Sequence, residues 1–155
     1  MTPLNPDNFI LIGGVGVGKS SLLNALLNRN DEIVKTPTLV FHPQNTIDTP
    51  GEYFDNPRLY TALISTMSAV DTVLYVHQSN AFEHKLPPGL FRIYNPTVIG
   101  VISKIDLPDA RVDRVCSILQ QFGIGQNMFP VSIFHQNTIN RLRDFLVTMS
   151  SQTKS

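Results

Sequence analysis

The chain has 155 residues, enough for one domain with a full core, and its 12 basic and 12 acidic residues leave no formal net charge. Neither sign of charge forms a run, so we expect no nucleic acid and no membrane among its partners. The apolar runs have only the length of strands, and the first residues lack the basic start and apolar segment of a secretory signal. We therefore expect a cytoplasmic protein whose residues 1–155 form one domain, with flexible tails at residues 1–8 and 150–155.

Strand-like apolar runs alternate with helical patterns along the chain. The predicted strands lie at residues 9–12, 38–42, 47–48, 72–76, 97–102 and 128–131. Helices are predicted after residue 19, around residues 59–70, at 111–122 and from about residue 139, and residues 80–96 are predicted to form a loop with at most a short helix at 90–93. This alternation predicts an α/β fold, a mostly parallel six-stranded sheet with helices on both faces and a ligand beyond the carboxyl ends of the strands.

A glycine-rich segment directly follows the first predicted strand. Gly13, Gly14, Val15, Gly16, Val17, Gly18, Lys19 and Ser20 match the phosphate-binding loop pattern G-x-x-x-x-G-K-[ST] at every fixed position. Its backbone N–H groups are expected to surround the phosphates, and the helix that begins near Lys19 is expected to bind them with Ser21 as well. Lys19 is expected to reach the β- and γ-phosphates and Ser20 to bind Mg²⁺. The alternative is a glycine-rich turn that only resembles the pattern.

A second motif is predicted at the end of a short strand. Asp48 and Gly51 have the D-x-x-G spacing with which GTP-binding switch proteins hold Mg²⁺ through water and contact the γ-phosphate. Without the phosphate loop, the same residues would be read as a Pro-Gly turn. For the Mg²⁺-binding threonine of the first switch loop we favour Thr36 over Thr38, since Thr38 begins a predicted strand.

Two further segments are predicted to meet the base. Ser103-Lys104-Ile105-Asp106 occupies the position of the N-K-x-D motif, in which the aspartate accepts hydrogen bonds from guanine and the lysine stem covers the base. Ser103 stands where that motif has Asn, which removes an amide that supports the loop and is expected to weaken guanine selectivity. Ser132 lies where a serine-containing loop meets the base in such proteins, although an ordinary strand-to-loop serine fits equally well.

The motifs as a set closely resemble those of the EutP/PduV family of P-loop proteins from ethanolamine- and propanediol-utilisation microcompartments. The resemblance rests on residues 13–20, 47–53, 74–77, 86–90 and 102–106, together with Lys35-Thr36. It implies a Ras-like P-loop NTPase that uses Mg²⁺ and GTP or ATP. The implied partners are the nucleotide, a shell or pathway protein of the microcompartment and, as an open alternative, a second copy of the chain.

Two functions remain open from the sequence. The first is a slow GTPase-type switch or assembly factor, with Lys19, Thr36 and Gly51 as its catalytic groups. Hydrolysis is expected to be slow because Glu52 replaces a water-orienting glutamine and no arginine finger is placed by motif. The second is an ATP-dependent acetate kinase-type phosphotransferase, for which Arg58, Lys85 or Arg92 would have to clamp the carboxylate.

The remaining reactive side chains are predicted to be structural. Cys116 falls on the apolar face of a predicted helix, which favours a buried core thiol over a nucleophile. The four histidines share no metal-ligand spacing, so we expect no metal other than Mg²⁺. The aromatic residues of the 80–96 loop are interpreted as covering the core, with a partner-facing patch as the alternative.

Overall fold

The computed structural model describes residues 9–14, 16–27, 46–48, 57–58, 61, 64–65, 70, 72–83, 97–124 and 127–153. Five strands lie in these ranges: β1 (Phe9–Gly13), β2 (Thr46–Asp48), β3 (Thr72–Gln78), β4 (Thr97–Ser103) and β5 (Met128–Pro130). The helices are α1 (Lys19–Leu27), α2 (Val112–Gln121) and α3 (Gln136–Thr153). Residues 57, 58, 61, 64 and 65 are also helical, in the region where a helix is predicted. The strand predicted at 38–42 and the short helix predicted at 90–93 lie outside the described residues.

The five described strands form one parallel sheet in the order β2-β1-β3-β4-β5. Strands of a parallel sheet are covered on both faces, and this explains why β1, β3 and β4 are runs of apolar residues without polar alternation. The structure confirms the predicted α/β fold with a parallel sheet. Three strands continue past their predicted ends, since β1 ends at Gly13, β3 at Gln78 and β4 at Ser103.

The core lies in two layers, one on each face of the sheet. Successive side chains of a strand point to opposite faces, so Phe9 and Leu11 pack with α1 and α3, whereas Ile10 and Ile12 pack with α2. Helices therefore cover both faces, as the alternating pattern predicted. Among the described residues no helix is both long and apolar enough to cross a membrane.

The helices bury the faces that their sequences predict, with one difference in α2. In α3, Ile139, Leu142 and Leu146 are buried against the sheet. In α2, Val115 and Leu119 are buried, but Cys116 lies at the edge of the same face and is only partly buried. Burial, and then the neighbouring Asp113 carboxylate, raise the pKa of the Cys116 thiol. The prediction of a fully buried thiol is therefore wrong, while the packing role holds.

The strand register brings the ends of the strands to one edge of the sheet. Gly13 at the end of β1 pairs with Asp48 of β2 on one side and with Val76 of β3 on the other. Gln78 at the end of β3 pairs with Ser103 at the end of β4. The candidate motifs follow these strands in the chain, so the parallel arrangement gathers them at the carboxyl edge of the sheet.

Candidate functional site

The glycine-rich segment forms a tight loop between β1 and α1. A Cβ atom on Gly13 would lie 2.5 Å from the backbone oxygen of Val76, so no other residue fits there without moving β3. Gly18 has a φ of +97°, a left-handed conformation that glycine adopts without strain. Helix α1 begins directly after it, at Lys19. Val15 of this loop lies outside the described residues.

Lys19 turns back into the loop from the first turn of α1. Its side chain is 5% exposed, and Nζ donates hydrogen bonds to the carbonyl oxygens of Gly13 at 2.9 Å and Gly14 at 2.8 Å. The first turn of α1 carries no acidic residue, so the positive end of the helix dipole is not offset there. Ser20 and Ser21 are exposed in the same turn. The loop therefore brings together a buried ammonium group, a helix N-terminus and two hydroxyl groups. This combination favours the binding of an anion such as phosphate.

Ser103 and Lys104 hold the glycine-rich loop from the end of β4. The Ser103 hydroxyl donates a 2.8 Å hydrogen bond to the backbone oxygen of Val17, and Lys104 Nζ donates a 2.8 Å bond to that of Gly16. The Lys104 stem also covers Gly18, because its Cε would lie 3.6 Å from a Cβ placed there. The amide that the sequence lacks is therefore replaced as a support, because the Ser103 hydroxyl bonds the loop backbone directly. The expected weakening of guanine selectivity stays a prediction.

Lys104 has an unusual backbone conformation that its neighbours hold in place. Its φ of 59° is left-handed, which costs a non-glycine residue roughly 1–2 kcal/mol. The buried hydroxyl of Ser79 donates a 2.7 Å hydrogen bond to the Lys104 carbonyl oxygen, and Leu107 N–H donates a second bond to the same oxygen at 3.1 Å. The Ser79 N–H also bonds the carbonyl oxygen of Ser103. This support fixes the direction in which the Lys104 side chain crosses the loop.

Asp106 and Ser132 meet although they are far apart in the chain. Ser132 is 1% exposed, and its hydroxyl donates a 2.8 Å hydrogen bond to Oδ1 of Asp106. The same hydroxyl accepts the N–H of Phe134 at 3.1 Å, while the Ser132 N–H is bound by the Thr138 hydroxyl at 3.0 Å. Within the described part of the chain Ser132 is the one hydrogen-bond partner of Asp106. The second carboxylate oxygen can therefore accept hydrogen bonds from a ligand.

A cavity of about 250 Å³ joins the glycine-rich loop to the residues that follow β4 and β5. Its walls include Val17 and Gly18 from the loop, Lys104 and Asp106 from the segment after β4, and Phe134 from the segment after β5. The lining is mostly apolar and includes one carboxylate, one lysine side chain and two serines, a composition typical of pockets that bind an organic ligand and fix its orientation.

The structure places only part of the predicted Mg²⁺ site. Ser20 is exposed at the N-terminus of α1, and the backbone of Asp48 lies beside Gly13 in the sheet. Thr36 and Gly51 lie outside the described residues, as does the side chain of Asp48. The roles of these three residues stay predictions.

Sequence reasoning missed Ser79 as a residue that supports the site. A serine at the end of a buried strand carries no motif, and its importance follows only from the pairing of β3 with β4. His77 precedes it by two residues and is buried. His77 Nε2 lies 2.7 Å from the carbonyl oxygen of Ala81, which can only accept, so Nε2 donates this bond, and Nδ1 lies 3.3 Å from the Tyr75 hydroxyl oxygen. For His77 this agrees with the prediction that the histidine is structural.

The family model PduV-EutP, which is described as ethanolamine utilisation and propanediol utilisation, matches residues 7–148. The chain belongs to the EutP/PduV family. It is 39% identical to a probable acetate kinase EutP of Escherichia coli strain K12, over 93% of this chain and 91% of that protein. It is 34% identical to the propanediol utilization protein PduV of Citrobacter freundii, over 88% of this chain and 91% of that protein.

The fold is that of the P-loop GTPases. The G-domain of FeoB from Methanococcus jannaschii superimposes with a TM-score of 0.60 over 100% of both chains at 21% identity. A probable GTP-binding protein engB gives the same TM-score of 0.60 over 92% of this chain and 99% of that one, at 20% identity. These likenesses agree with the fold that the phosphate loop and the alternating strands and helices predicted.

Proposed function

We propose that this chain is a Mg²⁺-dependent purine-nucleotide-binding protein that prefers guanine and hydrolyses GTP slowly. Its expected role is that of a switch or assembly factor in the ethanolamine- or propanediol-utilisation microcompartment. The observation that carries the proposal is that hydrogen bonds join three motifs around one cavity: the glycine-rich loop, residues 103–106 and the loop of Ser132. Ser103 and Lys104 bind the glycine-rich loop, and Ser132 binds Asp106.

The preference for guanine follows from the chemistry of Asp106. An ionised carboxylate only accepts hydrogen bonds, and guanine presents two donors side by side, its N1–H and its exocyclic amine. Adenine has an acceptor at the corresponding ring nitrogen and a C–H where guanine carries its amine, so it does not offer this pair of donors. Because Ser132 holds one oxygen of Asp106 in place, the carboxylate is oriented before the base arrives, which reduces the ordering that binding requires.

The phosphates would lie over the N-terminus of α1. Lys19 is already buried in the loop and carries the positive charge that a phosphate group needs. The exposed hydroxyl of Ser20 suits Mg²⁺, which prefers oxygen ligands, and Asp48 lies beside the loop in the sheet register. Bound Mg²⁺ would neutralise charge on the β- and γ-phosphates. Thr36 is proposed as a further ligand from the sequence.

Acetate kinase activity is the second candidate, and the observation that favours it is the name of the Escherichia coli relative, a probable acetate kinase. In that reaction an acetate oxygen would attack the γ-phosphorus of ATP, giving acetyl phosphate and ADP. The reaction needs adenine in the base pocket and a second cationic site for a carboxylate. The hydrogen-bond acceptors of Asp106 favour guanine instead.

One assay separates the two functions. Purified protein is given Mg²⁺ with GTP or with ATP, in the presence and absence of acetate, and any acyl phosphate is trapped with hydroxylamine. We expect slow GTP hydrolysis that acetate does not change, and loss of that hydrolysis in Lys19→Ala. Rapid ATP consumption that depends on acetate, with trapped acyl phosphate, would establish the kinase and contradict the switch.

A further inference from the structure

Phe134 is a large apolar side chain that the folded chain leaves in solvent. It is 75% exposed, and the neighbouring Ile133 is 46% exposed. Within the described residues, these two are the large hydrophobic side chains that are exposed. Both lie in the segment between β5 and α3, and both line the cavity that also contains Lys104 and Asp106. An exposed aromatic ring at the wall of a ligand cavity points to a contact with the ligand.

The backbone that carries Phe134 is held by several hydrogen bonds. The Phe134 N–H binds the Ser132 hydroxyl, and the Ser132 N–H binds the Thr138 hydroxyl. The His135 N–H binds the carbonyl oxygen of Ser132 at 3.0 Å, and the Thr138 hydroxyl binds that of His135 at 2.7 Å. The ring is therefore exposed on a well-connected turn that begins the long helix α3. The position of the turn does not depend on burial of the ring.

Two consecutive hydrogen bonds connect the Phe134 backbone to the Asp106 carboxylate, which is expected to bind the edge of the base. The Ser132 hydroxyl accepts from Phe134 N–H and donates to Asp106 Oδ1. A ligand that engages Asp106 through its edge would present its flat, apolar face to the cavity walls. The Lys104 stem and the Phe134 ring are among the lining groups that can cover such a face.

We propose that the Phe134 ring stacks on the purine base and determines much of the affinity for the nucleoside part of the ligand. The proposal rests on the nucleotide-binding function proposed above, and it assigns to Phe134 a contact that motif matching did not find. Aromatic stacking recognises a π-face and not a particular hydrogen-bonding edge, so Phe134 would strengthen binding of guanine and xanthine nucleotides alike. Selection between bases would remain with Asp106.

The proposal is tested with Phe134→Ser, Phe134→Tyr and the wild type, each titrated with GDP, XDP and inorganic tripolyphosphate in the presence of Mg²⁺. Loss of stacking should weaken GDP binding in Phe134→Ser by about five- to a hundredfold. Phe134→Tyr keeps the ring and should bind GDP as the wild type does. Tripolyphosphate has no base, so its affinity should be the same in all three proteins.

A fluorescence experiment detects the contact directly. The chain has no tryptophan, so Phe134→Trp introduces a single reporter at the proposed contact. Its emission should change on adding GDP and stay constant on adding tripolyphosphate. The control is Gln120→Trp, which places the same reporter at an exposed position of α2 that does not line the cavity. Its emission should not respond to GDP.

The outcomes distinguish this proposal from the proposed function. If Phe134→Ser binds GDP as tightly as the wild type while Lys19→Ala loses binding, the nucleotide site stands and the stacking contact is refuted. If Phe134→Ser keeps GDP affinity but loses self-association in sedimentation, the ring is a surface for a second copy of the chain and stacking is again refuted. If the wild type binds neither GDP nor tripolyphosphate, both proposals fail.

Discussion

Asp106→Asn is the substitution with the most specific expected outcome. Ser132 donates to Asp106 Oδ1 at 2.8 Å, and an amide oxygen can accept this bond as a carboxylate oxygen does. The substituted amide is therefore expected to keep its oxygen on Ser132 and to place its NH₂ group where the second carboxylate oxygen lies. A hydrogen-bond acceptor that faces the base becomes a donor, without any loss of the contact between the two loops.

The size of the effect follows from the hydrogen bond that the guanine amine would lose. A hydrogen bond to a charged group contributes about 1.5–3 kcal/mol, and this one is replaced by a contact between two donors. Asp106 is exposed, so we take the lower end, about 1.5 kcal/mol, which weakens GDP binding by roughly tenfold. Xanthine has a carbonyl oxygen where guanine has its amine, so XDP affinity should rise in the same variant.

The assay is calorimetric titration of wild type and Asp106→Asn with GDP and XDP in the presence of Mg²⁺. Asp109→Asn is the matched control, because Asp109 binds the Asn80 amide and does not line the cavity. This control should bind both nucleotides as the wild type does. The reasoning would be refuted if Asp106→Asn folds normally, as judged by circular dichroism, and binds GDP and XDP with unchanged affinities.

Three further predictions test other parts of the site and the core. Lys19→Ala should weaken GTP binding by about ten- to a hundredfold with an unchanged circular dichroism spectrum, since it removes a charge-assisted contact worth about 1.5–3 kcal/mol; unchanged affinity in a titration would contradict the assignment. Ser103→Ala leaves the Val17 carbonyl oxygen without this hydrogen bond and should destabilise the fold by about 1–3 kcal/mol in urea unfolding, whereas Ser103→Thr keeps the hydroxyl and should lose less. Burial and Asp113 raise the pKa of Cys116, so the thiolate is scarce near neutral pH. Alkylation of this thiol by iodoacetamide should therefore be slower than that of free cysteine up to about pH 8. Alkylation as fast as that of the free amino acid would show that the thiol is not protected.

The fold and the phosphate loop could be predicted from sequence because both leave local patterns. Buried parallel strands are short apolar runs, and the loop requires glycine at positions such as Gly13, where a side chain would meet β3. The ends of β3 and β4 were predicted too early, since His77 and Ser103 are polar residues whose partners lie elsewhere in the fold. Polar residues at the end of a buried strand look like loop residues when the sequence is considered alone.

The contacts between the motifs could not be predicted from spacing. Ser132 and Asp106 come together because β4 and β5 are neighbours in the sheet. From the sequence, an ordinary loop serine fitted Ser132 as well as a base-contacting one. Ser103 was expected to remove an amide that supports the loop. The hydrogen bond from its hydroxyl to the Val17 carbonyl oxygen depends on the close approach of β4 to the loop, which the sequence does not show. Phe134 was not singled out, because exposure of an aromatic side chain is a property of the folded chain.

The central claim is that the cavity selects guanine nucleotides, and a direct comparison of affinities tests it. The purified wild-type chain is titrated with GDP, GTP, ADP and ATP under identical conditions with Mg²⁺. We predict that GDP and GTP bind at least about tenfold more tightly than ADP and ATP, because adenine lacks the pair of donors that Asp106 accepts. Equal affinity for the two bases, or tighter binding of ATP, would contradict the claim.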